Sequence, residues 1–415
     1  MKKFIFVFIL LFILTLISGK SLKVKGSKLY DGNGKELLLR GINIPHAWYT
    51  DKTQFSLNEV SALGANSARI VLACGVTFPK SYYSEIKQII NWCESAGLVC
   101  VLELHDFTGS DNPSDITYTA LNYWREMKDL VNQHKDSVIV NIANEWQGTW
   151  NKGNLWGDTY VSAVKSMRAY GIENVIMIDA SGYGQETGPV IKDAKRVLNA
   201  DPDRNIIFSY HVYSALGKND NTLLNGFNGL KSTGVCWIAG EFGWWQNGGD
   251  VVYKTLMNYC KNNNIGWFAW SWSGNSGIDL CLDLTSPNSF SRKDLTTWGK
   301  YVFYGDGGIQ STSKKANISN SGNSSGSSSS SNTKTDNEYC KTCDVTATGD
   351  DGSQWGWENG KSCKIDSNKC NGSSSEISPN GIPYCKSCIV TSYGDDGSRW
   401  GWENEKSCLI NDSRC

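Results

Sequence analysis

Histidine is scarce: the 415-residue chain has four, too few for a His-rich metal centre of any size. Charge of one sign is missing as well. Forty Lys+Arg against 41 Asp+Glu leave a net charge of −1. Nucleic-acid proteins need a basic face to displace phosphate counterions, so that class is set aside. No Gly-rich phosphate turn follows any β-like run, which removes the usual dinucleotide-binding pattern. After residue 17 there is no apolar run long enough to cross roughly 30 Å of hydrocarbon. The single early run, residues 4–17, follows Lys2 and Lys3 and precedes Ser18 and Gly19. It is too short to span a bilayer and has the layout of a secretory signal over residues 1–19. The mature protein is therefore expected outside the cell, free of the membrane.

What the chain does have is aromatics and cysteines. Seventeen Trp and 18 Tyr supply many flat faces, for a core or for stacking on sugar rings. Of 14 cysteines, eight fall in the last 76 residues, a disulfide framework suited to an oxidising compartment. Residues 311–337 are Ser, Asn and Gly with almost no apolar side chains and read as a linker. Beyond it lies a duplication. Cys340, Cys343, Cys363 and Cys370 recur as Cys385, Cys388, Cys408 and Cys415, each offset by 45. GDDGSQWGWEN at 349–359 recurs as GDDGSRWGWEN at 394–404. Two modules follow, 338–371 and 383–415. Each is too small for a sufficient core and is expected to hold two disulfides, with three connectivities open.

Residues 20–310 have a different rhythm. β-rich apolar runs begin near Leu37, Ser67, Val99, Val138, Asn174, Ile206, Cys236 and Gly266, spaced 30 to 39 residues apart. Amphipathic helical patterns such as 82–97 and 121–134 lie between them. Runs apolar on both faces are strands of a buried parallel sheet. Eight βα units in about 290 residues predict an α/β fold, a (β/α)8 TIM barrel, followed by the linker and the two small disulfide-rich modules. The opening stretch, with its DGNG turn at 31–34, is expected to form a hairpin closing the bottom of the barrel.

Active sites of such barrels sit at the C-terminal ends of the strands. The polar residues there are Asn43, His46, Arg69, Glu103, His105, Asp106, Asn144, Glu145, His211, Tyr213 and Glu241, with Trp270 and Trp272 on the last strand. Glu145 and Glu241 end strands 4 and 7 and can converge over the mouth. Two facing carboxylates are the machinery of glycoside hydrolysis, and a separation near 5 Å makes one a nucleophile and the other an acid/base. Arg69 and Tyr213 are placed to hold Glu241 ionised. Trp48, Trp150, Trp156, Trp244 and Trp245 fall in rim loops, where each either touches substrate or packs beneath a loop. His134, near a helix end, is read as surface. No metal or cofactor is required. Of the six cysteines here, Cys93–Cys100 and Cys74–Cys281 are plausible bridges that sequence does not settle.

This domain resembles glycoside hydrolase family 5. The family's active-site set maps in order onto Arg69, His105, Asn144, Glu145, His211, Tyr213, Glu241 and Trp270. The resemblance implies a retaining endo-acting β-glycanase, with Glu145 as acid/base, Glu241 as nucleophile, Asn144 on a sugar 2-hydroxyl and Trp270 as a sugar platform. RGINIPHAWY (40–49), LELHDFTGSD (102–111), NIANEWQGTW (141–150), MIDASGYGQ (177–185) and FAWSWSGN (268–275) look like the bacterial-type β-mannanases of that family. Trp146, where a proline often follows the acid/base, fits those members. His46, His105 or Trp146 would read the axial 2-hydroxyl of mannose. The implied substrate is mannan or glucomannan; an endoglucanase of the same family and a non-catalytic sugar-binding subunit are the alternatives.

The repeats resemble dockerin modules of anaerobic fungi, related to carbohydrate-binding module family 10. That implies a scaffold protein of a cellulosome-like complex as partner. Asp351, Trp355, Trp357, Asp396, Trp400 and Trp402 would form the docking face, beside Tyr339 and Tyr384. Zinc and calcium readings of the modules are set aside, because secreted cysteines favour disulfides and the acidic turn lacks an EF-hand's ligand spacing. Direct cellulose binding is the rival.

Overall fold

The computed structural model describes residues 21–318, and, within 347–409, Cys385 and six short strands. The expected signal at 1–19, most of the linker and the docking-face side chains other than Trp400 lie outside the described residues.

Eight parallel strands close into a barrel in chain order: β1 (Arg40–Ile44), β2 (Ser67–Leu72), β3 (Val99–Leu104), β4 (Val138–Asn141), β5 (Val175–Asp179), β6 (Ile206–Val212), β7 (Trp237–Phe242) and β8 (Gly266–Ala269). One main helix follows each strand: α1 (Thr53–Ala62), α2 (Tyr83–Ser95), α3 (Leu121–Gln133), α4 (Leu155–Ala169), α5 (Thr187–Asn199), α6 (Asp220–Thr233), α7 (Tyr253–Asn263) and α8 (Thr297–Tyr304). The (β/α)8 expectation is met, with every strand within two or three residues of its predicted start.

Local chemistry explains the elements. In α2, Ile86, Ile89, Ile90 and Cys93 recur at helical spacing and are buried. In α6, the Asn219 side chain caps the N-terminus by accepting from the Thr222 amide, and Gly234 ends the helix at φ 73°, where a side chain would be strained. Strand residues alternate between two cores. On β3, Cys100, Leu102 and Leu104 face the helices, while Val99 and Val101 fill the barrel with Ile139, Val175, Met177, Ile207, Ile238 and Phe268. Each such fully buried aliphatic side chain contributes about 1.5–3 kcal/mol.

The lower end of the barrel is plugged as expected, with one adjustment. The strands Lys23–Lys25 and Lys28–Tyr30 pair around Gly26 and Ser27, and the DGNG turn then leads back to a single bridge between Tyr30 and Glu36. Leu22, Val24, Leu29, Leu37 and Leu39 press onto the lowest barrel layer.

Two sequence expectations are corrected. Cys74, Cys93, Cys100, Cys236, Cys260 and Cys281 are all unbridged. Cys74 and Cys281 have separate partners, Asp106 for the first and the Ile278 carbonyl for the second. Buried Cys93 and Cys100 are neighbours without a bond, and burial together with Cys93 pushes the Cys100 thiol up. His134 is buried rather than on the surface: its Nδ1 lies 2.7 Å from Glu94 Oε1.

In the C-terminal unit each repeat gives a three-stranded antiparallel sheet: Ala347–Thr348, Gln354–Glu358 and Lys361–Lys364, then Ser392–Tyr393, Arg399–Glu403 and Lys406–Leu409. The 45-residue offset is kept to the residue: Gly356 pairs with Cys363, and Gly401 with Cys408. Cys385 bonds Cys408, joining the first and third cysteines of the second module. Among the described residues no helix is long and apolar enough to cross a membrane.

Candidate active site

The alternation that packs the lower barrel carries polar side chains into its top. Continuing inward on alternate residues gives Arg69 on β2, Glu103 on β3, Asn141 on β4, Asp179 on β5 and His211 on β6, all fully buried. β7 would put Gly240 inward by the same count. A register shift skips Gly240 opposite Tyr210 and His211, and Glu241 pairs with His211 instead. Only glycine fits there, because a Cβ on Gly240 would stand 2.0 Å from Ser209 Oγ. The bulge thus turns Glu241 into the barrel.

Arg69 is the hub. Its Nη1 donates to Glu241 Oε1 at 2.6 Å and Asn43 Oδ1 at 3.0 Å. Its Nη2 donates to Asn144 Oδ1 at 2.8 Å and Asp179 Oδ2 at 3.2 Å, and its Nε to Asn141 Oδ1 at 2.9 Å. Burial works against the cation, but Glu103, Asp179 and Glu241 outweigh it and raise the Arg69 pKa. Tyr213 Oη donates to the other oxygen, Glu241 Oε2, at 3.1 Å. Both oxygens of Glu241 are therefore held.

Glu145 sits differently. Its backbone is left-handed, φ 46°, an unfavourable conformation for a non-glycine residue and one found at functional sites. Its N–H donates to Asp179 Oδ2 at 3.2 Å and its carbonyl accepts from the Gly109 N–H at 3.0 Å. Burial raises the Glu145 pKa, with Glu241 adding to the effect and His211 opposing it. His211 Nδ1 lies 2.6 Å from Glu145 Oε1, and its Nε2 lies 3.3 Å from Asp179 Oδ2 without hydrogen-bond geometry. Burial would discharge this imidazole, but Glu241 and Asp179 prevail and push it up to about 10.

One oxygen of Glu145, a ring nitrogen of His211 and one oxygen of Glu241 lie within 4.8 Å of one another. Such a trio has the size of a cation site. A protonated His211, however, offers no lone pair, and Arg69 already occupies Glu241. As a carboxylate pair, the spacing matches the roughly 5 Å at which one carboxylate attacks directly, and is too short for a water between them.

An aromatic wall stands beside the pair. Trp270 stacks on His105 at 5.8 Å and 17°, and Trp48 meets both rings edge-on. Trp48 is 39% exposed. Burial would lower the His105 pKa, but Glu103, 2.9 Å from its Nδ1, raises it overall.

The structure thus brings Arg69, His105, Asn144, Glu145, His211, Tyr213, Glu241 and Trp270 together at one end of the barrel. Two residues do not join them. Trp146 is fully buried, donates to the Asn112 carbonyl and packs edge-on against Tyr160, so it has no face for a sugar. His46 is 1% exposed, and its two nitrogens are taken by Thr53 and Glu85. Of the rim tryptophans, Trp48 and Trp150 are exposed, Trp244 and Trp245 half-buried, and Trp156 buried with its Nε1 on the Asp179 carbonyl. Asp179 and Asn141 were missed. The period-two alternation that made the strands visible would have found both.

A closed parallel barrel with paired glutamates ending strands 4 and 7 defines a class: barrel enzymes that hydrolyse glycosidic bonds. Comparison narrows the class. Residues 30–276 match the family described as Cellulase (glycosyl hydrolase family 5), and the chain belongs to it. Residues 328–365 and 374–410 match a "Cellulose or protein binding domain". A "Mannan endo-1,4-beta-mannosidase" of Salipaludibacillus agaradhaerens is 38% identical over 71% of this chain and 94% of its own length. Another so named, from Cellvibrio japonicus, is 34% identical over 84% of this chain and 81% of its own. The β-mannanase of Streptomyces thermolilacinus solved with mannohexaose is 36% identical. It superposes with a TM-score of 0.67 over 72% of this chain and 97% of its own.

Proposed function

We propose that the barrel hydrolyses internal β-1,4-mannosidic bonds of mannan or glucomannan with retention of configuration. Glu241 is the nucleophile and Glu145 the acid/base. The observation that carries the roles is the contrast within one close pair. Glu241 is gripped by Arg69 and Tyr213, whereas burial favours the protonated form of Glu145. In the first step a Glu241 oxygen bonds to the anomeric carbon. The glycosidic C–O bond breaks as the Glu145 proton passes to the leaving oxygen. In the second, water attacks that carbon, Glu145 takes its proton and the ester bond to Glu241 breaks. Two inversions give retention. The substrate is supported by the relatives bearing the mannosidase name.

The remaining assignments belong to the same reading. Residues 1–19 direct secretion, 20–310 form the enzyme and 311–337 the linker. Modules 338–371 and 383–415 tether the enzyme to a scaffold protein of a cellulosome-like complex outside the cell. The paired matches to a cellulose- or protein-binding domain support a docking or sugar-binding module. Cellulose retention without scaffold capture by residues 338–415 would favour the sugar-binding use.

Reducing ends released from mannan, glucomannan, carboxymethylcellulose and xylan test the substrate. Mannan and glucomannan are expected to lead. Release from carboxymethylcellulose alone would make the protein an endoglucanase, and release from none would leave a non-catalytic subunit.

A further inference from the structure

Asp179 is fully buried and meets four parts of the site. Its Oδ2 accepts from Arg69 Nη2 and from the Glu145 N–H, each at 3.2 Å, and lies 3.3 Å from His211 Nε2. Its Oδ1 accepts from Asn141 Nδ2 at 3.2 Å. Its carbonyl accepts from the buried Trp156 Nε1 at 2.9 Å, which fixes the end of β5 beneath the rim.

The charges around it come from every neighbouring element. Arg69 stands on β2, Glu103 and His105 on and just beyond β3, Glu145 after β4, His211 on β6, Tyr213 just after it, Glu241 on β7 and Tyr160 on α4. Arg69 and His211 are the central cations; Glu103 faces Arg69, and Asp179 and Glu241 face both. His105 is paired with Glu103. A fourth negative charge, on Glu145, would have no cation left to itself. Removing one of the three carboxylates frees a cation for it.

We propose that Asp179 is a positioning residue of the reaction: it offsets the charges of Arg69 and His211 so that Glu145 keeps its proton for the leaving group, and it anchors the left-handed Glu145 backbone. This rests on Glu145 being the acid/base. Asp179 touches no reacting atom. It acts through His211, whose cation would otherwise favour the Glu145 carboxylate, and through the Glu145 N–H. Once Asp179 is neutralised, His211 still has Glu241 Oε2 3.5 Å from its Nδ1 as a counter-charge. The field released by removing Asp179 therefore falls on Glu145.

Asp179→Asn keeps an oxygen for the Glu145 N–H and removes the charge. The rate kcat/KM is measured against pH on mannopentaose and on 2,4-dinitrophenyl β-mannobioside, whose leaving group needs no proton. The alkaline limb on mannopentaose is expected to move down by about one pH unit, a loss of about tenfold above the limb. The aryl substrate should change by less than about threefold. Equal losses on both substrates with an unmoved limb would mean a structural role only and overturn the proposal. So would an unchanged profile. Asp179→Glu keeps the charge, and its limb should stay in place; a downward shift there overturns the proposal whether or not Asp179→Asn folds. Glu145→Ala is run alongside. Full mannopentaose hydrolysis by that variant would retire the acid/base assignment instead, a result distinct from failure at Asp179.

Discussion

Arg69 Nη1 and Glu241 Oε1 meet at 2.6 Å inside the barrel, where neither side chain has more than a trace of contact with solvent. The contact serves stability and reactivity together. Arg69 is the cation shared by Glu103, Asp179 and Glu241. Arg69→Met removes it and leaves the three carboxylates to repel one another. Loss of one partner from a buried ion pair costs about 3–5 kcal/mol. Arg69→Met is expected to lower the urea midpoint accordingly and to reduce kcat by about a hundredfold or more. A variant with wild-type stability would show that the carboxylates do not depend on this cation.

The two glutamates should separate by chemical rescue. Glu145→Ala and Glu241→Ala each lose nearly all hydrolysis of mannan while keeping the far-ultraviolet spectrum of the folded barrel. Azide restores turnover in Glu241→Ala with formation of an α-glycosyl azide, because the small anion enters the space of the lost nucleophile. The α product from Glu145→Ala would reverse the two roles.

Stability should depend on pH with a sign set by buried groups. His211 is raised from its ordinary 6.5 to about 10, so its contribution is complete below 6.5 and is lost as pH rises through about 10. Glu145 is also raised, and folding favours its protonated form, so it adds in the same sense. Asp179 is depressed: burial opposes its charge, but His211 and Arg69 prevail. Its contribution is present above 3.8 and is lost as pH falls below that ordinary value. Urea unfolding at pH 6, 8 and 10 is therefore expected to show falling stability, with a shallower fall in His211→Gln. The same slope in that variant would place the alkaline loss elsewhere.

Trp48 and Trp146 should behave oppositely. Trp48 presents an exposed ring beside Trp270 and His105. Trp48→Ala is expected to raise KM for manno-oligosaccharides about 3- to 10-fold at little cost in stability, as removal of one stacking aromatic does. Trp146→Ala empties a fully buried site and should cost about 3–5 kcal/mol, with KM unchanged in the folded fraction. A KM effect at Trp146 equal to that at Trp48 would contradict the burial.

The barrel was legible because its strands are buried on both faces, which writes them as apolar runs, and because helices such as α2 repeat Ile86, Ile89, Ile90 and Cys93 on one side. The rim residues followed from position, since a polar side chain ending an apolar strand is conspicuous. Asp179 escaped because its run, NVIMIDA, carries a single carboxylate followed by Ala180 and so reads as an ordinary buried strand. Trp146 and His46 misled for the converse reason: rim position does not say which way a side chain turns. Trp146 turns onto Tyr160 and His46 onto Thr53 and Glu85. The cysteines did not disclose their pairing, because it depends on approach in space.

The skipped residue at Gly240 has a consequence for how the protein can change. Below it, β7 must match its neighbours tooth for tooth, since Trp237 and Ala239 face the helices and Ile238 the barrel. Above it, the phase is reset by one, and Glu241 owes its direction to the interruption and not to the count from Trp237. The strand works like a shaft with a clutch: the packing half and the reacting half turn in different phases. A side chain at Gly240 that forced the bulge out would re-engage the two halves and swing the nucleophile out among the helices.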